Sequence, residues 1–293
     1  MAGQIARRWR GAAPPSIPDV PPARVDALRV CLIGHSSLLV QVAGLNVLVD
    51  PVYADCLGPG GRLGPRRAQP PGVRWDDLPP IDAVLLTHNH WDHLDGPTLA
   101  RLHARFRPRV LAPLGNDAAV RRYGSDIRVD ALGWGEGARL SPRLSAHLEP
   151  SLHWSGRGLR DRRRALWGSW VLKAEGGGVL YHVGDTAYGD GSAFRRVREA
   201  HGPPDVALIP IGAYEPRWYV GAQHVDPDEA VRVMLDCGAK RAFGHHWGTF
   251  QLTWDGPEDA PRDLGAALRR RGLSPDRFRP LRPGDAAAPP WPG

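Results

Sequence analysis

The stretch IDAVLLTHNHWDHLD, residues 81–95, joins two kinds of sequence. Its first half, Ile81–Thr87, is a nearly continuous apolar run, the pattern of a strand buried on both faces. Its second half places His88, His90, Asp92 and His93 within six residues. His88 and His90 are two apart at the strand end, so both project to the same side. Asp92 and His93 sit where the chain turns toward the next element. Imidazole and carboxylate without thiolate suit zinc, manganese or iron. A helix is expected over Pro97–Arg107, with Leu99, Leu102 and Phe106 at helical spacing.

Outward from this segment, short apolar runs separated by turn residues predict further strands. They lie at Arg29–Ile33, Leu38–Val42, Asn46–Val49, Arg109–Ala112, Ile127–Leu132, Ser169–Ala174, Val179–Val183, Val206–Ile211 and Arg241–Gly244. Between the last two sits a punctuated helix: Asp226 as N-cap, Pro227 in the first turn, Glu229 closing a capping box and Gly238 as the stop. A final helix is expected from about 257 to 271, ending at Gly272. The Pro- and Gly-rich residues 54–80 read as a long loop without regular structure. Residues 1–27, rich in Pro and Arg, read as an extended arm over a domain that spans 28–293. Strand-rich stretches interrupted by helices predict an α/β (α+β) architecture of two mixed sheets covered by helices.

Three more candidate ligands each lie just past an apolar run: His153, Asp185 and His246. Strand ends on a rigid sheet are where functional side chains collect.

Composition narrows the rest. The chain has 293 residues, 42% of them hydrophobic, enough to bury a sizeable core. No apolar stretch approaches the roughly 18–20 residues that span a bilayer, and the Arg- and Pro-rich start has no apolar segment of a secretory signal. A cytoplasmic location is expected, peripheral to the inner membrane face at most. Cys31, Cys56 and Cys237 are widely spaced, which disfavours a disulfide framework or a zinc–thiolate knuckle; they read as small buried hydrophobes. The net charge of +7 comes almost wholly from Arg, with Lys only at 173 and 240. In an Ala-, Gly- and Pro-rich chain this reads as compositional bias, and no nucleic-acid partner is expected. The dense cluster Arg157–Arg164 reads as a solvated loop, with an anion-contacting loop as the alternative.

Several segments together resemble the metallo-β-lactamase superfamily and, more narrowly, its N-acylphosphatidylethanolamine phospholipase D branch, over about residues 30–285. They are GHSSLLVQ (34–41), DP (50–51), GPRR (64–67), THNHWDHLD (87–95), HWSGR (153–157), LWGSW (166–170), GDT (184–186), IPIGAYEPRW (209–218), QHVDPDEAV (223–231) and HWGTFQLT (246–253). The resemblance implies an αββα sandwich holding two divalent ions, with zinc expected and manganese or iron as alternatives. His88, His90 and His153 would hold one ion; Asp92, His93 and His246 would hold the other; Asp185 would bridge them. His246 is chosen over His245 because it precedes Trp-Gly-Thr-Phe. His224 corresponds to a non-ligand histidine beside the reacting phosphate, so Asp92, Asp185 and His224 carry the expected catalytic roles. His35 and Asp50 are expected to orient ligand imidazoles. His103, His147 and His201 match no motif and read as surface or packing residues; Trp9, Trp75 and Trp218 read as packing residues, with lipid contact as the alternative. Two ions against two carboxylates and a hydroxide leave the site about one positive charge, suited to a monoanionic phosphodiester.

The expected reaction is hydrolysis of a phospholipid or a smaller phosphodiester between phosphate and head-group alcohol, with peripheral membrane contact. Rival readings are a lactonase of sugar-phosphate type, a nuclease, and a non-catalytic metal- or lipid-binding protein. Gly133-Trp134, Ala187 and Arg163 depart from the branch pattern and are expected to reshape the pocket entrance.

Overall fold

The computed structural model describes residues 17–158 and 160–292. The first sheet is built from β1 (Arg29–Gly34), β2 (Ser37–Val42), β3 (Leu45–Val49), β4 (Ala83–Leu85), β5 (Arg109–Pro113) and β6 (Val129–Leu132). The second takes β7 (Gly137–Ser141), β8 (Leu144–Glu149), β9 (Ser169–Ala174), β10 (Val179–His182), β11 (Val206–Pro210), β12 (Arg241–His245) and β13 (Phe278–Pro280), and β14 (Ala286–Ala287) returns to the edge of the first. Both sheets repeat one plan. A meander of antiparallel strands leads into strands that run parallel, β3 to β6 in one and β10 to β13 in the other.

The sequence explains the layering. In β1, Val30 and Leu32 face the other sheet while Cys31 and Ile33 face outward onto helices, and all four are buried. A strand covered on both sides has no polar face, hence the continuous apolar runs. The inter-sheet core includes Leu38, Val47, Leu85, Trp170, Leu208 and Phe243. Outside the first sheet lie α1 (Gly96–Phe106) and α2 (Asp117–Arg121), through Leu99, Leu102 and Val120. Outside the second lie α3 (Ser192–His201), α5 (Pro227–Cys237) and α6 (Asp259–Arg270), while α4 (Arg217–Val220) is a single turn in the loop after β11. The expected αββα sandwich is therefore observed.

The capping box of α5 forms as read: Asp226 accepts from the Glu229 amide at 2.8 Å, the Glu229 carboxylate accepts from the Asp226 amide at 3.1 Å, and Gly238 ends the helix in the left-handed region. The strand expected over Ile81–Thr87 shortens to Ala83–Leu85. Asp82 turns its carboxylate to the Asn46 amide and Arg24, and Thr87 turns to Asp50. The loop 54–80 holds one 3₁₀ turn, Pro59–Gly61. Within the expected arm, residues 1–16, Trp9 among them, lie outside the described residues. Residues 17–27 run along the first sheet, with Asp19 bridged to Val73 and carbonyls of Pro22 and Ala23 accepting from Gln41 and Asn46. The three cysteines are free and buried.

Candidate metal centre

The carboxyl ends of the parallel strands in both sheets open on the same edge, where ligand sites of open α/β sheets form. Asp50 follows β3, His88 follows β4, Asp185 follows β10 and His246 follows β12. His35, Asp50 and His246 each adopt a left-handed backbone, at φ 55°, 42° and 65°. Such conformations cost roughly 1–3 kcal/mol each and persist where surrounding bonds over-determine them. Gly184 does the same at φ 63°, and a side chain there would press on the Gly168 carbonyl and Thr87, displacing Asp185.

Two groups of donors converge. In the first, His90 Nδ1 lies 2.8 Å from His88 Nε2 and 3.2 Å from His153 Nε2. In the second, Asp92 Oδ2 lies 3.5 Å from both His93 Nε2 and His246 Nε2. Asp185 Oδ2 stands between them, 3.2 Å from His246, 3.3 Å from His93 and 3.7 Å from His153. All seven residues singled out as ligands therefore meet in space. His224 sits at their rim, its Nδ1 3.9 Å from Asp185 Oδ2.

The outer atoms fix which nitrogens point inward. His93 Nδ1 donates to Asp50 Oδ2 at 2.7 Å. Thr87 Oγ1 donates to the same carboxylate at 2.6 Å and accepts from His88 Nδ1 at 2.9 Å. His153 Nδ1 donates to the Gln223 carbonyl at 3.1 Å. These bonds leave the Nε2 lone pairs of His88, His93 and His153 facing the cluster, as ligation demands. The loops are stitched as well: Ser151 donates to the Asp185 carbonyl and the Leu152 amide to Thr186 Oγ1. Arg157 donates to the carbonyls of Asn89 and Leu94, which bracket the ligand segment, and lies over the Trp91 ring.

Electrostatics divides the groups. Burial, reinforced by neighbouring imidazoles, holds His88 and His153 well below the usual histidine range, and burial lowers His90 to about 4. Burial also opposes the charged forms of His93 and His246. There the Asp185 and Asp92 carboxylates prevail, raising His93 and moving His246 up to about 9. Asp92 and Asp185 are held well below the carboxylate range by those histidines, against their own burial.

Among the described residues, the buried His93 Nε2, His246 Nε2 and Asp185 Oδ1 have no hydrogen-bond partner. Buried polar atoms are almost always satisfied, and these three line one centre. In the first group a single proton on His90 Nδ1 would have to serve two facing lone pairs. Cations satisfy all of them, and the nitrogen–oxygen donor set fits zinc-type ions.

Other expectations divide. Asp50 orients a ligand imidazole as expected. His35 does not: its Nε2 contacts the Asp92 carboxylate at 3.0 Å, and its ring lies 4.0 Å from that of His246. Its left-handed backbone aims the side chain at the carboxylate side of the cluster. His245 is fully buried against His182, with ring centroids 5.0 Å apart. His103 pairs with Asp126 at the surface, and His147 packs beside His201, which pairs with Glu149. Sequence reasoning missed Thr87, although it stands inside the motif; its hydroxyl next to the first ligand was the available signal. Gln223 was invisible because it acts through its backbone carbonyl.

Comparison with known proteins agrees with this geometry. Residues 45–247 match the model of the β-lactamase superfamily domain. An uncharacterized protein of Mycobacterium tuberculosis is 35% identical over 96% of this chain and 77% of its own length. The N-acyl-phosphatidylethanolamine-hydrolyzing phospholipase D 1 of Caenorhabditis elegans is also 35% identical, over 75% of this chain and 64% of that protein. Among solved structures, the isothiocyanate hydrolase from Delia radicum gut bacteria superposes with TM-score 0.68 at 19% identity, covering 89% of this chain and 98% of that one.

Proposed function

Because this chain belongs to the metallo-β-lactamase superfamily of metal-dependent hydrolases, we propose that it is a phosphodiesterase of phospholipase D type, acting on N-acylphosphatidylethanolamine-like phospholipids with two divalent ions, zinc being the expected metal. The carrying observation is the placement of Asp185 between the two donor groups, with His224 beside it and outside both. Kinship with phospholipase D relatives supports the substrate class.

In this reading His88, His90 and His153 would hold one ion, Asp92, His93 and His246 would hold the other, and Asp185 is placed to serve both. When bound, such ions would supply a water acidic enough to be a nucleophile near neutral pH and positive charge for a phosphoryl group. The protein contributes two carboxylates to the donor groups, so the site stays cationic toward an anionic phosphodiester. Burial keeps His224 at about 4, hence neutral at pH 7. A neutral imidazole there donates a hydrogen bond to a phosphoryl oxygen, and this role fits better than delivery of a full proton. Water enters at phosphorus, the bond to the head-group oxygen breaks, and the alcohol leaves with a proton.

The test is turnover of N-acylphosphatidylethanolamine, a soluble phosphodiester and a lactone by protein of measured metal content. Hydrolysis of the two phosphodiesters is expected. Failure on both with the ions bound overturns the reading, and turnover confined to the lactone moves the chain to the lactonase class.

A further inference from the structure

Little apolar contact holds α4. Of its residues only Val220 is buried; Trp218 is 81% exposed and Tyr219 66%, so the packing expected of Trp218 is not observed. Its first residue, Arg217, instead spans the loop that leads to α5. Nη1 donates to the His224 carbonyl at 2.8 Å, Nη2 donates to the Glu229 carboxylate at 2.7 Å, and Nε lies 3.7 Å from Asp226 Oδ2. Gly221 keeps this path open. Its backbone is right-handed helical and would accept any residue, but a Cβ there would lie 2.6 Å from the Arg217 carbonyl and 3.2 Å from Nη2.

The segment held in this way faces the donor groups. The Gln223 carbonyl accepts from His153 Nδ1 at 3.1 Å. The next residue, His224, sets its ring 5.1 Å from that of His153 and 5.6 Å from that of His246, with Nδ1 3.9 Å from Asp185 Oδ2. Amides fix one side of the segment: those of Gln223 and His224 donate to the Val220 carbonyl at 2.8 and 2.9 Å, and that of Val225 to the Thr186 carbonyl at 2.8 Å. On the other side the His224 carbonyl is held by Arg217. Without that bond the His224 peptide group is free to turn, and the ring turns with it. Helix α5 does not account for the arginine, since its capping box closes through Asp226 and Glu229 alone, and a cation beside the positive end of a helix is by itself unfavourable. Reaching a carbonyl with one nitrogen and a carboxylate with another is a property of the guanidinium fork.

We propose that Arg217 is a positioning residue for His224: anchored on Glu229 and bonded to the His224 carbonyl, it sets the imidazole against Asp185 at the rim of the two donor groups. Its effect on turnover rests on the phosphodiesterase reading of the site; the placement of the ring does not, and the experiment separates the two.

Arg217→Met is compared with wild type, with His224→Ala and with the double variant. Arg271→Met is the control, because Arg271 holds Asp228 on the same helix through two bonds of 2.5 and 2.6 Å and leaves His224 alone. Gly221→Ala is the second route, displacing the same guanidinium without removing its charge. Metal content, Tm and turnover of a soluble phosphodiester are measured for each. The rate at which diethyl pyrocarbonate modifies His224 is read by peptide mass spectrometry, with surface His103 as the internal reference.

Arg217→Met should keep its metal and lose roughly 10–100-fold in kcat, the order that follows from misplacing a group by about 1 Å. The double variant should match His224→Ala, since two changes that act through one group do not add. His224, only 15% exposed in the wild type, should be modified severalfold faster in Arg217→Met and in Gly221→Ala, and at the wild-type rate in Arg271→Met. Equal modification of His224 with and without Arg217 overturns the placement. Losses that multiply in the double variant overturn action through His224, and so does loss of metal from Arg217→Met. Absence of turnover from every protein with the ions bound sinks the phosphodiesterase reading, while faster modification of His224 in Arg217→Met upholds the placement.

Discussion

Replacing Asp50 by Asn tests whether the centre depends on atoms that never touch an ion. The Asp50 carboxylate accepts from the Thr87 amide at 2.8 Å, Thr87 Oγ1 at 2.6 Å and His93 Nδ1 at 2.7 Å. Asparagine keeps one oxygen. If that oxygen faces His93 and the hydroxyl, the new NH2 meets the Thr87 N–H, donor against donor. If it faces the amide, the NH2 meets His93 Nδ1–H and forces the proton to Nε2, the atom that must be bare to bind an ion. Comparable outer partners are worth about 10–100-fold in metal affinity. A buried bond to a charged group is worth about 1.5–3 kcal/mol. For a domain of this size a loss of ~2 kcal/mol lowers Tm by about 4–8 °C. Asp205→Asn is the control. Its buried carboxylate accepts from the Val179 amide and pairs with Lys240 at the far end of the sheet. It should lower Tm while leaving metal affinity alone. Chelator-competition titrations and thermal scans of both variants decide the matter. Metal affinity of Asp50→Asn within twofold of wild type would refute the orienting role.

Asp185→Asn should bind one ion fewer and lose most turnover, because one neutral amide replaces the carboxylate that reaches both donor groups; elemental analysis showing both ions retained counts against the bridge. His224→Ala should keep its metal content yet lose on the order of 10²–10⁴-fold in kcat, the span for a group acting on the reacting phosphate, and unchanged kcat removes it from the mechanism. Gly184→Ala should cost more than about 1 kcal/mol, since its φ is positive and the new methyl crowds the Gly168 carbonyl; equal Tm would contradict the strain argument. In metal-free protein, His246 and His93 have raised pKa values, so the stability they add is complete below their unfolded pKa and is lost as pH climbs toward about 9. His90 and His224, lowered to about 4, take stability away as pH falls below about 6.5. Denaturant titrations of the chelated protein should therefore peak near neutrality, and a monotonic rise from pH 5 to 9 would oppose these assignments.

The sequence disclosed the parts of this molecule that are buried or punctuated. Both-face burial made β1 to β5 and β9 to β12 readable as apolar runs, and α5 was bracketed by its own caps. Among elements with a wet face, α1, α6 and β6 were read but β7, β8 and α3 escaped. The hairpin β7–β8 buries Leu144, Ala146 and Leu148 in strict alternation, but Ser145, His147 and Arg139 break up the apolar signal. In α3 only Phe194 and Val197 are buried, among arginines. The ligands were legible because their spacing in 88–93 and their positions after strands are local features. Of the partners of those ligands only Asp50 was named, through the family resemblance; Thr87 and Gln223 were not, since Thr87–Asp50 and His153–Gln223 pair across the fold. Backbone conformation was hidden too: nothing in the residues around His35 announces a left-handed turn that redirects it from an imidazole to Asp92.

The strained residues and the orphaned atoms belong to one economy of forces. His35, Asp50 and His246 hold unfavourable backbone angles at the same centre where His93 Nε2, His246 Nε2 and Asp185 Oδ1 lack partners. Neither defect would persist in a fold selected for stability of the bare polypeptide, because each costs free energy that the surrounding core must offset. Both become intelligible if the native state is stabilised by what it binds. A ligand taken up by the folded chain alone adds RT ln(1 + [L]/Kd), about 4 kcal/mol at a thousandfold excess over Kd. That is of the order needed to offset two or three such defects. The same reasoning assigns the two donor groups different tasks. His88, His90 and His153, neutral near pH 7, are ready to bind without giving up protons, whereas His93 and His246 must release theirs. Uptake at the Asp92 side should therefore acidify a weakly buffered solution and uptake at the triad should not, so proton release measured against ions bound separates the two.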